Sequence, residues 1–138
     1  MFINKIFLFL LTVIALALFG FIYLSHKIQD GMCANEIVSE KISLDLKYKA
    51  IVFIRDCGAT TNYSLQVSIL PKQDSLENST GNILILDESY IDFENHKTTL
   101  EYDWKKDNSL SIQIDPKTKI YYQVDQYKDI RIQLNKIE

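Results

Sequence analysis

The stretch Arg55-Asp56-Cys57-Gly58-Ala59-Thr60-Thr61 puts a cation, a carboxylate, a thiol, a glycine and two hydroxyls side by side. It contains one of only two cysteines and one of only four glycines in the chain. The sharpest chemistry such a set could perform is thiolate attack by Cys57. A nucleophilic thiol needs a lowered pKa and a base to take its proton. Asp56 beside it acts in the wrong direction, and the only histidines are His26 and His96. The remaining cysteine, Cys33, offers a different use. An even cysteine count in a small exported domain reads as a disulfide. A Cys33–Cys57 link closes a loop of 24 positions, worth about 3–4 kcal/mol in the chain-entropy account.

Other constellations are thinner. Asp87-Glu88 and Asp92-Glu94 crowd acids around Tyr90, but lack the alternating ligands and central glycine of a calcium loop. Neither a metal nor a cofactor is expected. Asp56, Asp87 and Asp103 would make an acid–base pair only if the fold brought two of them together. Phosphate-cradling glycine loops and a G-x-S-x-G elbow are missing. Thr60-Thr61-Asn62 after Gly58 reads as a turn closed by side-chain hydrogen bonds, or as a hydroxyl cluster that binds a partner. Tyr90, Tyr121, Tyr122 and Tyr127 could form an exposed aromatic patch, or simply follow tyrosine's preference for strands.

The elements that must position these residues begin with an apolar segment. Ile6 to Leu24 holds 19 residues without a charge, about 28 Å of helix against a hydrocarbon core of about 30 Å. A secretory h-region is shorter and is followed by a small-residue cleavage site; here Leu18 occupies the position that requires a small side chain. Asp30-Gly31-Met32 ahead of Cys33 does not suit lipoprotein processing. The organisation expected is a cytoplasmic tail over 1–5, a transmembrane helix over 6–24, a juxtamembrane linker over 25–32 and an exported domain over 33–138. Lys5 on one side and His26 and Lys27 on the other nearly balance the positive-inside rule. The short tail and the cysteine pair decide for an amino terminus inside. That places a single-pass protein in the inner (cytoplasmic) membrane, with its domain in the periplasm or outside the cell.

The chain carries a net charge of −3, with acids and bases interspersed. No basic stripe exists, which argues against nucleic acid and anionic headgroups as partners. Beyond the linker the period is two. Ala50, Val52 and Ile54 alternate with Ile51 and Phe53, so both faces of this strand are apolar, as in a central strand covered twice. Tyr63 to Leu70, Asn82 to Leu86, Leu100 to Trp104, Leu110 to Ile114, Ile120 to Val124 and Ile130 to Leu134 complete seven candidate strands. Pro71 ends the second, and Lys105 to Asn108 turns the fourth into the fifth. Cys33 to Ile42 does not alternate, and suits a helical turn, a covering segment or an edge strand. The fold expected is all-β: a small antiparallel sandwich or curled sheet.

Arg55-Asp56-Cys57-Gly58-Ala59-Thr60-Thr61, followed by Gln66-Val67-Ser68-Ile69-Leu70, resembles the shared signature of a group of small bacterial envelope proteins with a domain of unknown function. The group has an amino-terminal signal or anchor, a cysteine like Cys33, and a late W-x-x-D-x-x-L-x-I segment, matched here by Trp104, Asp107, Leu110 and Ile112. The resemblance implies an envelope location and a β domain, and supplies no activity. Where the group often has S-P-D-G before its central strand, this chain has Ser43-Leu44-Asp45-Leu46. The candidate binding residues are therefore Arg55, Asp56, Gly58, Thr60, Thr61 and Gln66. The function expected is a non-enzymatic protein-binding domain on a membrane anchor. An immunity protein against an exported toxin is one version, and an envelope enzyme using Cys57 or a carboxylate pair is the competing reading.

Overall fold

The computed structural model describes residues 2–58 and 61–137. The chain divides into two compact units, Met1–Met32 and Cys33–Glu138. The first is a single helix, α1, over Phe2–Met32. Its segment Phe7–Leu24 has a mean hydropathy of 2.7 and no buried residue, which makes it long and apolar enough to cross a membrane. The 25–32 stretch, expected as a linker, is instead the last two turns of this helix. Ser25 to Asp30 contains no proline or glycine, and extending an existing helix avoids the cost of a new nucleus.

The second unit is all-β, as the alternation predicts. One sheet has five strands in the order β1 (Ala34–Ile42), β2 (Tyr48–Asp56), β3 (Ser64–Pro71), β4 (Leu84–Leu86) and β9 (Ile120–Gln123). Between β4 and β9 in the chain come the two-residue hairpin of β5 (Ile91–Asp92) with β6 (Lys97–Thr98), then β7 (Tyr102–Trp104) and β8 (Leu110–Ile114). The second sheet runs β10 (Gln126–Tyr127), β11 (Ile130–Lys136), β8, β7. All seven expected strands form. All eleven strands take part in antiparallel ladders, yet β11 also lies parallel to β8, pairing Ile132 with Leu110 and Leu134 with Ile112. Hairpin neighbours must be antiparallel, whereas β11 returns to β8 after an excursion through β9 in the other sheet, so its direction is free.

The two inner faces meet in one core. Val52, Ile54, Leu65, Val67 and Leu84 from the first sheet pack with Trp104, Leu110, Ile112 and Ile130 from the second. β2 is covered on its other face as well: Ile51 and Phe53 are buried, and the loop after Pro71 is bonded to Arg55 and to Gln66, the ladder partner of Phe53. Asn82 holds the end of that loop by acting as a strand residue with its side chain. Its Oδ1 accepts the Ile69 N–H at 2.8 Å and its Nδ2 donates to Ile69 O at 2.9 Å, a two-point contact that imitates one ladder rung.

The segment that fails to alternate becomes β1, an edge strand. Its register to β2 shifts between Ile37 and Ser39, so the adjacent Ile37 and Val38 mark a β-bulge. Beyond the bulge β1 meets the second sheet. Trp104 Nε1 donates to Lys41 O at 2.9 Å, and Ser39 Oγ and the Tyr102 hydroxyl lie 2.7 Å apart. The β1–β2 turn, Ser43-Leu44-Asp45-Leu46, is tight despite lacking glycine and proline. Leu46 N donates to Ser43 O at 3.0 Å, and Leu46 adopts a left-handed φ of 61°, the position that S-P-D-G gives to glycine.

Candidate functional site

The Arg55–Thr61 segment ends β2 and starts the connection to β3. Cys33 and Cys57 are joined, on the ladder position that follows the Ala34–Asp56 pair. The thiol of Cys57 is therefore consumed, and the link staples the first residue of the β unit to the end of its central strand. Asp56 Oδ1 accepts the Gly58 N–H at 2.8 Å. Gly58 takes a φ of 93°, which a side chain would oppose. Thr61 closes the turn, its N–H reaching Gly58 O at 3.1 Å and its Oγ1 reaching the same oxygen at 3.2 Å. Thr60, a candidate from sequence, lies outside the described residues.

Arg55 is 5% exposed. Its Nη1 donates to Asn35 Oδ1 at 2.7 Å, to Asn78 Oδ1 at 3.1 Å and to Ser79 O at 3.3 Å. Asn78 Nδ2 in turn donates to Cys33 O at 2.6 Å, and Asn35 Nδ2 to Glu77 O at 3.1 Å and Ser79 O at 2.8 Å. One guanidinium thus ties the start of β1 and the covering loop to the central strand. Gln66 belongs to the same construction. It is 4% exposed, its Oε1 accepts the Gly81 N–H at 2.6 Å and its Nε2 donates to Ser64 Oγ at 2.8 Å. Gly81 has no room for a side chain: a Cβ there would lie 3.0 Å from Gln66 Cβ, Leu84 O and Val67 O. Arg55, Asp56, Gly58 and Gln66 therefore shape the backbone around the motif, while Thr61 remains at the surface.

What that construction presents is a surface cleft of about 500 Å³. Thr61, Asn62, Tyr63, Ser64, Ile85 and Tyr121 line it, with Arg55 and Cys57 bordering. Tyr63 stacks edge-on against Phe93, with centroids 5.1 Å apart. Tyr63, Phe93, Tyr121 and Tyr122 are 42%, 49%, 54% and 44% exposed. Exposed rings in such numbers favour a binding surface. Of the tyrosines singled out by sequence, 121 and 122 are exposed. Tyr90 is half-buried, its hydroxyl taken by the Asp115 N–H and by Thr118, and Tyr127 packs on the core. Ile85 and Tyr121 join the cleft through the β4–β9 ladder, whose register shifts between Ile85 and Leu86. The only sequence sign of this was the unbroken Tyr121-Tyr122 pair.

The carboxylates do not gather. Asp56 holds Gly58; Asp87 accepts the Ser89 N–H at 3.1 Å and the Lys119 N–H at 3.2 Å; Asp103 lies 3.6 Å from Lys41. Burial pushes the Asp87 carboxyl up, but the Ser89 and Lys119 hydrogen bonds outweigh it and hold the group below its ordinary value. It stays ionised and makes a poor general acid. His96 faces Glu36 at 3.0 Å. Among the described residues no group of three or more His, Cys, Asp and Glu side chains could hold a metal ion. A second groove, of about 630 Å³, lies between β1 and β7 and mixes Lys41, Lys97 and Lys105 with Glu101 and Asp103.

No protein-family model matches the chain, and no curated protein or solved structure is detectably similar to it.

Proposed function

We propose that the β unit is a non-enzymatic module that binds a protein partner in the bacterial cell envelope, held at the inner membrane by α1 as an uncleaved anchor. The observation that carries the reading is the cleft beside the disulfide. Its walls bring Tyr63, Tyr121 and Ile85 next to exposed Phe93 and Tyr122, on a frame stapled by the disulfide and hydrogen-bonded through Arg55 and Gln66. Preordered aromatic surface is what protein recognition uses, because little side-chain entropy is lost on contact. The disulfide supports an oxidising compartment and hence export of the domain. An immunity protein that blocks an exported toxin is a specific version compatible with the acidic charge of the chain. The competing enzyme reading loses support, since Cys57 is bonded to Cys33 and Asp56, Asp87 and Asp103 each serve separate partners.

A photo-reactive residue at Tyr121 in the full-length chain, expressed in its own envelope, tests the proposal. One stoichiometric cross-linked protein is expected, and it should disappear when Tyr63 and Phe93 are replaced by alanine. Cross-linking no stronger than at Lys106, a surface position on the β7–β8 turn, would sink the reading.

A further inference from the structure

The cleft beside the disulfide joins aromatic rings to unused hydrogen-bond donors. The hydroxyls of Tyr63 and Tyr121 and the side-chain amide of Asn62 make no hydrogen bond to the described residues. Ser64 Oγ accepts from Gln66 Nε2 at 2.8 Å, which leaves its own proton to donate outward. Among the described residues no carboxylate lines the cleft, and Ile85 is its one aliphatic wall. Two of the rings are ordered before any ligand arrives. Tyr63 rests edge-on against Phe93, and Lys119 Nζ lies 4.9 Å from the centroid of Tyr121.

Proteins recognise segments of other proteins in a few recurring ways, and the local geometry discriminates among them. Strand addition needs a sheet edge whose outward N–H and C=O groups recur every second residue. β9 ends its sheet, but its bulge breaks that phase. Val124 N donates to Ile83 O and Asp87 N to Lys119 O. These bonds bracket the Leu84–Gln123 and Leu86–Ile120 rungs, so the backbones of Gln123 and Ile120 point away from β4. The two outward positions are three residues apart, and an added strand would fall out of register between them. A docked amphipathic helix needs a run of apolar anchor pockets, which Ile85 alone does not supply. Capture of a phosphate or acidic motif needs an arginine cluster. Arg55 is the one arginine at the cleft, and it is buried and engaged by Asn35 and Asn78.

We infer that the cleft receives a proline-rich segment of the partner in the polyproline II conformation. The inference rests on the binding-module reading of this cleft and names the ligand for it. A polyproline II helix has no internal hydrogen bonds, so its carbonyl oxygens stand outward as acceptors. Proline has no N–H to leave unpaired against the rings. Tyr63, Tyr121, Asn62 and Ser64 supply donors for those carbonyls, while the tyrosine faces take the pyrrolidine rings. The ligand is already stiff, so little conformational entropy is lost on docking.

The test uses the full chain in a nonionic detergent, with meta-fluorotyrosine at its eight tyrosines and decaproline as the probe. Fluorine resonances are assigned by single Tyr→Phe variants. A saturable shift of the Tyr63 and Tyr121 resonances is expected at millimolar peptide, with the buried Tyr102 unmoved as the control for folding. Replacing Tyr63 and Tyr121 together by alanine should weaken binding about tenfold or more, read from Tyr122. Tyr121→Phe keeps the ring and removes one donor, so it should weaken binding by a smaller factor. No shift with decaproline overturns the inference. So does an equal shift with a glycine–serine decamer, or a shift with an amphipathic helical peptide alone. A chain that cross-links its partner through Tyr121 yet ignores decaproline refutes only the polyproline ligand. Loss of the cross-link as well refutes the binding module itself.

Discussion

Replacing Arg55 by Met keeps the aliphatic stem and removes the guanidinium, which makes it the cleanest probe of the motif. Three hydrogen bonds from Nη1 disappear, to Asn35, Asn78 and Ser79. A hydrogen bond from a charged donor contributes about 1.5–3 kcal/mol when it is buried. Asn78 and Ser79 are exposed, so water replaces much of what their oxygens lose. The bond to Asn35 keeps most of its value and the other two a fraction, giving a loss of about 3 kcal/mol. For a domain of this size, with a stability of about 5–15 kcal/mol, that lowers the midpoint by on the order of 10 °C. Thermal unfolding of the full chain in detergent, followed by near-ultraviolet circular dichroism, measures it. Trypsin cleavage after Lys72 should accelerate as well, because the covering loop is released. A double-mutant cycle with Asn78→Ala should show coupling of about 1 kcal/mol or more. A loss under about 1 kcal/mol, or strict additivity with Asn78→Ala, would falsify the view of Arg55 as the tie between β1, β2 and the loop.

Converting Cys33 and Cys57 to serine should cost about 3 kcal/mol, and reductant should lower the unfolding midpoint of the unmodified chain alone. Gly81→Ala should destabilise by about 1–3 kcal/mol, since two of the three atoms met by its Cβ are backbone oxygens; chemical denaturation reads this directly. Stability should fall as pH drops through and below about 4. Hydrogen bonds from Ser43 to Asp45, from Asn95 to Asp92 and from Ser109 to Asp107 depress these carboxyls from 3.8 in the folded state, so their contribution is present above that value and lost as the folded forms take up protons. Asp107→Asn should flatten the acid limb of the midpoint-versus-pH curve. At the other extreme, burial raises the Tyr102 hydroxyl above 10.0, so its contribution is intact below pH 10 and lost as pH climbs past it; Tyr102→Phe should weaken that alkaline slope.

The strands were legible because their period of two survives translation into burial: Leu110, Ile112 and Ile114 face the core, while Gln113 is exposed. The double covering of β2 was legible too, from apolar residues at successive positions. What covered its second face was not, because a polar loop carries no periodicity. Asn82 and Gly81 act there through bonds to residues more than ten positions away. β1 was ambiguous for a physical reason, since the bulge breaks the very alternation used to recognise a strand. The turn before β2 was hidden by Leu46, which adopts the backbone that glycine usually signals. Within the motif, residue types were read correctly as unusual but not as structural. A buried arginine facing asparagines gives no sequence signal, since its partners lie some twenty positions to either side. The cleft depends on Ile85 and Tyr121, brought beside Tyr63 by sheet order alone.

The link between Cys33 and Cys57 also decides how a pull on the anchor enters the domain. Any tension along α1 arrives at Cys33, next to the edge strand. Without the bond, that tension would peel β1 from β2 one rung at a time, starting at the Ala34–Asp56 pair. With it, force passes sideways through the sulfurs into the end of β2, the strand buried on both faces. The weakest edge is bypassed, and the load falls on the part of the sandwich that yields last. While the bond is intact, the rungs between β1 and β2 carry none of that load.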